Sequence, residues 1–160
     1  MDNHQKLLSI LKDFDTAMLV TQSPDGAIVA RPMHIAQLDD DGGLWFVSER
    51  DSGKIKDVKS SDRVAVTVQS SNEYASVVGT VNLSSDRQKI EELWTESWRV
   101  WFPLGKDDPS LCLMHIVPET GEYWDNSGAE GVKYLLKAGQ AYLKGEKPNV
   151  DQIMNAKVSM

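Results

Sequence analysis

Val64-Ala65-Val66-Thr67-Val68-Gln69 alternates apolar and polar side chains without a break. Successive side chains on a strand point to opposite faces, so this run makes a half-buried strand with its valines toward a core and Ala65, Thr67 and Gln69 facing elsewhere. Runs of the same kind recur along the chain: Thr16 to Ser23, Ala27 to Leu38, Leu44 to Ser48, Tyr74 to Leu83, Leu111 to Val117 and Glu122 to Trp124. Pro24-Asp25-Gly26 and Asp39-Asp40-Asp41-Gly42-Gly43 supply the turns between the first three. A turn containing Pro118 and Gly121 separates the last two. A parallel nucleotide-binding sheet needs strands and helices in alternation, and the chain has neither that order nor a G-x-G-x-x-G or Walker A motif. The reading is a mainly β chain, five or six strands in antiparallel hairpins closing into a small barrel with a few flanking helices. Pro32 cannot donate to a ladder, so the second strand is an edge or is bulged there. Gly79 inside a strand pattern marks a bulge or a close approach by another group.

The helices are few. Leu7, Leu8, Leu11 and Phe14 recur at helical spacing, which predicts an amphipathic helix over 3–14. Ser52 opens a second helix that carries Ile55 and Val58 on one face. Ser85-Asp86-Arg87-Gln88 and Ser127-Gly128-Ala129-Glu130 both have the spacing of a capping box. The first starts a helix through about Trp94. The second starts one with Val132, Leu135, Leu136, Gly139, Tyr142 and Leu143 on a single face. From Gly145 the chain is polar, so residues 1–145 are expected to form one domain and 146–160 a loose tail.

Composition narrows the class of function. A net charge of -7 and a pI near 4.9 argue against a nucleic-acid surface, which needs a basic patch. No apolar run approaches the 18 or so residues of a membrane span. The start of the chain lacks the basic and apolar regions of a signal peptide. The one cysteine, Cys112, lies in an apolar run and reads as a small buried hydrophobe, which fits a reducing, cytoplasmic setting. His4, His34 and His115 have no metal-ligand spacing, and no G-x-S-x-G nucleophile motif is present.

The richest site signal runs from Leu44 to Lys54, where a strand passes through a polar turn into a helix at Ser52-Gly53-Lys54. A helix start leaves backbone N–H groups unpaired and attracts anions. Ser52 adds a hydroxyl, Gly53 removes bulk and Lys54 adds a charge. The same residues also read as an ordinary helix cap with a solvated lysine. Arg31, on one strand face with Val29, Met33 and Ile35, stands beside the Pro32 edge, a place where a planar polar ring could bind. Trp94, Trp98, Trp101 and Phe102 crowd into nine positions and must fill a core, a pocket or an interface.

Taken in order, Ala30-Arg31-Pro32-Met33, Trp45-Phe46-Val47-Ser48, Ser52-Gly53-Lys54 and the Lys59-to-Val64 step resemble the flavin-binding split-barrel family. The resemblance is nearest to its general stress protein branch, related to pyridoxamine 5'-phosphate oxidase. Trp101-Phe102-Pro103, Asp108-Pro109 and Glu122-Tyr123-Trp124-Asp125 resemble that branch as well. The resemblance implies a six-stranded antiparallel split β-barrel and a homodimer with FMN at the subunit interface. It places Arg31, Pro32, Met33 and His34 along the flavin and its ribityl chain. Phe46, Val47 and Ser48 would bracket the ring and ribityl region, Ser52 and Lys54 would hold the phosphate, and Trp98 or Trp101 would stack near the ring. Gly53 stands where the parent oxidases carry a basic residue. The Arg-and-His set with which those oxidases hold substrate near the C-terminus is missing, which argues against pyridoxamine phosphate oxidation. The resemblance thus implies a flavoprotein of the stress response with oxidoreductase activity on an unidentified small substrate. A non-catalytic flavin carrier or dimeric interaction module is the alternative.

Overall fold

A computed structural model describes residues 1–147 and 155–160. The valine alternation becomes β5 (Arg63–Gln69), with Val64, Val66 and Val68 buried as expected. Around it run β1 (Thr16–Gln22), β2 (Ile28–His34), β3 (Gln37–Leu38), β4 (Leu44–Glu49), β6 (Glu73–Ser84), β7 (Leu111–Asp125) and β8 (Asn155–Ser159). They form one antiparallel sheet in the order β2-β1-β5-β6-β7-β4-β3, with β8 on β7. The described residues thus hold eight strands where six were expected.

The sheet order explains the barrel. β2 and β3 are the two ends of the sheet, yet only Ile35 and Ala36 separate them in sequence. The sheet must therefore curl until its ends meet. Backbone hydrogen bonds show the handover: Ile35 N–H donates to Asp15 O at 2.8 Å beside β1, and Ala36 N–H donates to Trp45 O at 2.8 Å on β4. The expected single strand from Ala27 to Leu38 breaks at this point because its two halves serve opposite sheet ends. Pro32 sits on the edge strand, where its missing donor costs no ladder bond.

β7 is the second correction. Two strands around a turn were expected, but β7 is one strand of 15 residues. The pairing with β6 continues from Glu73↔Asp125 to Ser84↔Leu113, with a register shift between Val78 and Gly79. A Cβ on Gly79 would collide with the Val117 carbonyl oxygen. Pro118 and its neighbours therefore mark a β-bulge, not a reversal, and Gly79 is the close approach read from the sequence.

The helices plug and brace this sheet. α1 (Asn3–Lys12) buries Leu7, Leu8, Ile10 and Leu11, and Asp2 and Gln5 form a capping box at its start. Leu7 presses on β7 where Gly121 has no side chain. α2 (Gly53–Ser60) follows β4, and α3 (Arg87–Leu93) follows β6. The cap of α3 is Asp86, which accepts from Lys89 N–H at 3.2 Å, and not Ser85. α4 (Gly128–Lys144) starts at Ser127, whose hydroxyl makes no cap bond, and ends at Gly145 in the left-handed region. Of the expected loose tail, Asn155–Ser159 pairs along β7 as β8, and 148–154 lie outside the described residues. The main core fills the barrel. A smaller one, of Ile90, Leu93, Trp98, Phe102, Leu111 and Leu113, lies outside it. Cys112 is buried, and burial pushes its thiol pKa up. No helix among the described residues is long and apolar enough to cross a membrane.

Candidate functional site

The outer edge of β2, the end of β4, the start of α2 and the 3₁₀ turn Glu96–Val100 with the residues after it enclose a cleft of about 620 Å³. Ligand pockets for small molecules and cofactors span this range. One wall is polar and cationic, the other aromatic.

The polar wall is built by the β4–α2 turn. Ser52 is the N-cap of α2, but its hydroxyl makes no cap bond and lies 2.9 Å from Ser48 Oγ. Ile55 N–H donates to Ser52 O at 3.2 Å, but the Gly53 and Lys54 N–H groups have no intrahelical acceptor, and here the usual side-chain acceptor is turned away. A Cβ on Gly53 would meet nothing within 4 Å, so the helix start is open. Lys54 Nζ donates to Ser48 Oγ at 3.2 Å. Burial and the neighbouring Arg31 charge push the Lys54 pKa down, and Glu49 offsets this only in part. A half-buried ammonium held by a hydroxyl, beside a second cation and an open helix N-terminus, favours an added anion. The donor set fits a phosphate monoester.

Arg31 is positioned from behind. Its Nη1 donates to Thr21 Oγ1 at 2.7 Å and its Nη2 to Asp57 Oδ2 at 3.1 Å. Thr21 also donates to Asp57 Oδ2, at 2.7 Å. Asp57 is buried on α2, so this network ties the helix to β1 and β2. It fixes where the start of α2 lies relative to the β2 edge, and hence the width of the cleft.

The aromatic wall comes from the crowded tryptophans. Trp98 and Phe102 are buried in the smaller core and also line the cleft. Trp94 meets Trp98 edge to face, with centroids 5.8 Å apart. Trp101, also lining the cleft, is 66% exposed. One tryptophan cluster therefore serves as core, wall and rim.

Arg31, Pro32, Met33, His34, Val47, Ser48, Ser52, Lys54 and Trp101 all come together in this cleft. Phe46 does not. It is 0% exposed within the barrel core, because Leu44, Phe46 and Ser48 share the inward face of β4. Sequence reasoning missed Glu49 and Ser97 as lining residues, and Thr21 and Asp57 as the support of Arg31. Asp57 had a signal: it lies beside Val58 on a helix face whose apolar residues are buried, where a carboxylate requires a partner.

A family model described as pyridoxamine 5'-phosphate oxidase like matches residues 2–149. A crystal structure from Jannaschia sp. CCS1, named for general stress protein 26, is 28% identical with a TM-score of 0.72, covering 98% of this chain and 97% of that one. The general stress FMN/FAD binding protein of Xanthomonas citri is 28% identical with a TM-score of 0.66, over 79% of this chain and 90% of that one. Protein bli-3 of Neurospora crassa is 26% identical over 129 residues, 73% of this chain. The chain spans 62% of the length of bli-3. The architecture is that of the split barrel, and the chain belongs to the pyridoxamine 5'-phosphate oxidase-like family, on its general stress protein branch.

Proposed function

We propose that this chain is a cytoplasmic FMN-binding flavoprotein, a homodimer with the flavin at the subunit interface, acting as an oxidoreductase on a small substrate. The observation that carries the reading is Lys54, a half-buried cation whose hydrogen bond among the described residues goes to a hydroxyl and not to a carboxylate, set at the open start of α2. The phosphate of FMN would meet Lys54 and the Ser52 turn. The ring would lie toward Arg31, Pro32, Met33 and His34, with Val47 and Ser48 beneath the ribityl chain and Trp101 at the rim. The Xanthomonas citri relative, named as an FMN/FAD binding protein, supports a flavin at this site.

When bound, the flavin supplies the electron chemistry. The chain supplies orientation and charge. Arg31, held by Asp57 and Thr21, keeps a fixed positive group beside the ring site. Trp98 and Phe102 exclude water from one side. The visible absorption spectrum of the purified protein tests the reading, recorded after FMN is added and the excess removed. Retained flavin bands are expected. A colourless protein overturns the proposal and returns the Ser52-Gly53-Lys54 turn to a plain helix start.

A further inference from the structure

A second, smaller pocket of about 160 Å³ opens between α2, the end of β6 and the start of β7. It shares no lining residue with the cleft. Ile55, Leu83 and the buried Cys112 supply its apolar lining. The rest of the lining is Arg50, Lys59, Ser84 and Ser85: two cations, two hydroxyls and no carboxylate. In a chain of net charge -7, that inverts the general balance.

The cations are set in place without being neutralised. Arg50, in the turn between β4 and α2, is held by neutral acceptors. Its Nε donates to Pro109 O at 3.2 Å, and its Nη2 to Ser85 Oγ at 2.8 Å and Leu111 O at 3.4 Å. A guanidinium has five N–H donors, so the two on Nη1 are left over among the described residues. Lys59, in the last turn of α2, has neither a hydrogen bond nor an ion pair among those residues. Ser84 Oγ already accepts from Asp86 N–H at 3.1 Å, and Ser85 Oγ accepts from Arg50. Each hydroxyl therefore has its O–H left to donate. The Cys112 thiol feels the same field: burial pushes its pKa up, and Arg50 and Lys59 both pull it down.

Size and chemistry choose the ligand. Sites for cofactor-sized molecules begin at about 300 Å³, so a flavin or a nucleotide is too large for this one. Two cations flanked by hydroxyl donors suit a compact anion with several acceptor oxygens, because hydrogen bonds to a charged partner are the strong kind.

We propose that this pocket is a second anion site, which takes a small tetrahedral oxyanion of the phosphate class between Arg50, Lys59 and the hydroxyls of Ser84 and Ser85. The anion would join the turn before α2 and the last turn of that helix to the connection between β6 and α3. The site stands apart from the cleft and does not depend on flavin being bound.

The test is a two-dimensional amide NMR titration of the flavin-free full chain with sodium phosphate, run against sodium chloride of matched ionic strength. The Ser84, Ser85 and Cys112 signals are expected to follow one saturating curve with phosphate and to stay still with chloride. Lys59 is exposed, so Lys59→Gln should fold. It should weaken binding roughly fivefold, the upper range for an exposed ion pair, and Lys59→Arg should restore it. Lys54→Ala should leave this curve unchanged, while the Ser52 and Gly53 signals report the cleft separately. Shifts that rise without saturating, an equal response to chloride, or a curve untouched by Lys59→Gln overturn the proposal. A Ser84 and Ser85 response that disappears in Lys54→Ala belongs to the cleft and overturns it as well. Failure of FMN to bind the same protein sinks the flavin reading alone.

Discussion

Burial takes Lys54 partly out of water, and Arg31 beside it disfavours its charge further. A phosphate placed at the α2 start would reverse both effects. Lys54→Ala should therefore weaken FMN binding by roughly 1–3 kcal/mol, the range for losing a charge-assisted hydrogen bond, and leave the melting temperature of the flavin-free protein no lower. Fluorescence titration and a thermal melt check both parts. The pH dependence has a definite sign. Lys54 binds an anion only when protonated, and its pKa lies below the ordinary 10.5. FMN affinity should hold at neutral pH and fall as pH rises through that lowered value. In Lys54→Ala this alkaline loss should vanish. At this scale the sequence told half the story. The strand-turn-helix step marked Ser52 and Lys54 because both lie at one local step of the chain, and both line the cleft. Asp57 and Thr21 stayed hidden because Asp57 meets Thr21 and Arg31 from 36 and 26 positions away, which no local pattern encodes. Phe46 was misplaced because alternation at the end of β4 puts it one pleat deeper than its neighbours.

Among the elements, the long β6–β7 ribbon carries the most non-local pairing, and Gly79 is its tightest point. Gly79→Ala forces a methyl against the Val117 carbonyl, a backbone atom that cannot swing aside. It should destabilise by about 1–3 kcal/mol, the usual cost of overpacking, seen as a Tm drop of roughly 2–4 °C per kcal/mol for a chain of this size. The glycine was legible as a bulge or close contact. Pro118 and Gly121 were misread as a turn because breaker residues look alike in a turn and in a bulge, and only the partner strand tells them apart. α1 is fastened to the end of the same ribbon. Lys6 forms an ion pair with Asp125, which also accepts from Ser127 N–H at 2.7 Å. Burial pushes the Asp125 carboxyl up, but these hydrogen bonds outweigh it and hold the pKa below 3.8. A depressed carboxylate adds stability above its unfolded pKa and loses it as pH falls through the folded value. Melting curves should therefore show wild type losing its advantage over Lys6→Met as pH drops below about 4. An advantage that persists at lower pH would mean that the pair does not stabilise the fold.

The whole molecule is a sheet whose two ends are adjacent in sequence, and that closure makes the cleft. Ile35 and Ala36 bring β2 against β4, and the Arg31–Asp57 pair then locks α2 at the seam. The hairpin order and the barrel were readable because each strand has its own alternation and turn. The closure itself was not, since it appears in the sequence only as two residues in an apparently continuous strand. The polar C-terminal stretch concealed β8 for a related reason: an outer strand paired on one side needs no strong apolar pattern. The central claim is that Lys54 and the α2 start read a phosphate on a flavin. Calorimetric titration of FMN and of riboflavin into wild type and Lys54→Ala tests it most directly. The account predicts that wild type prefers FMN over riboflavin at least tenfold, and that Lys54→Ala loses most of this preference while riboflavin binding is unchanged. Equal affinity of the wild type for both ligands, or an FMN preference untouched by Lys54→Ala, would contradict it.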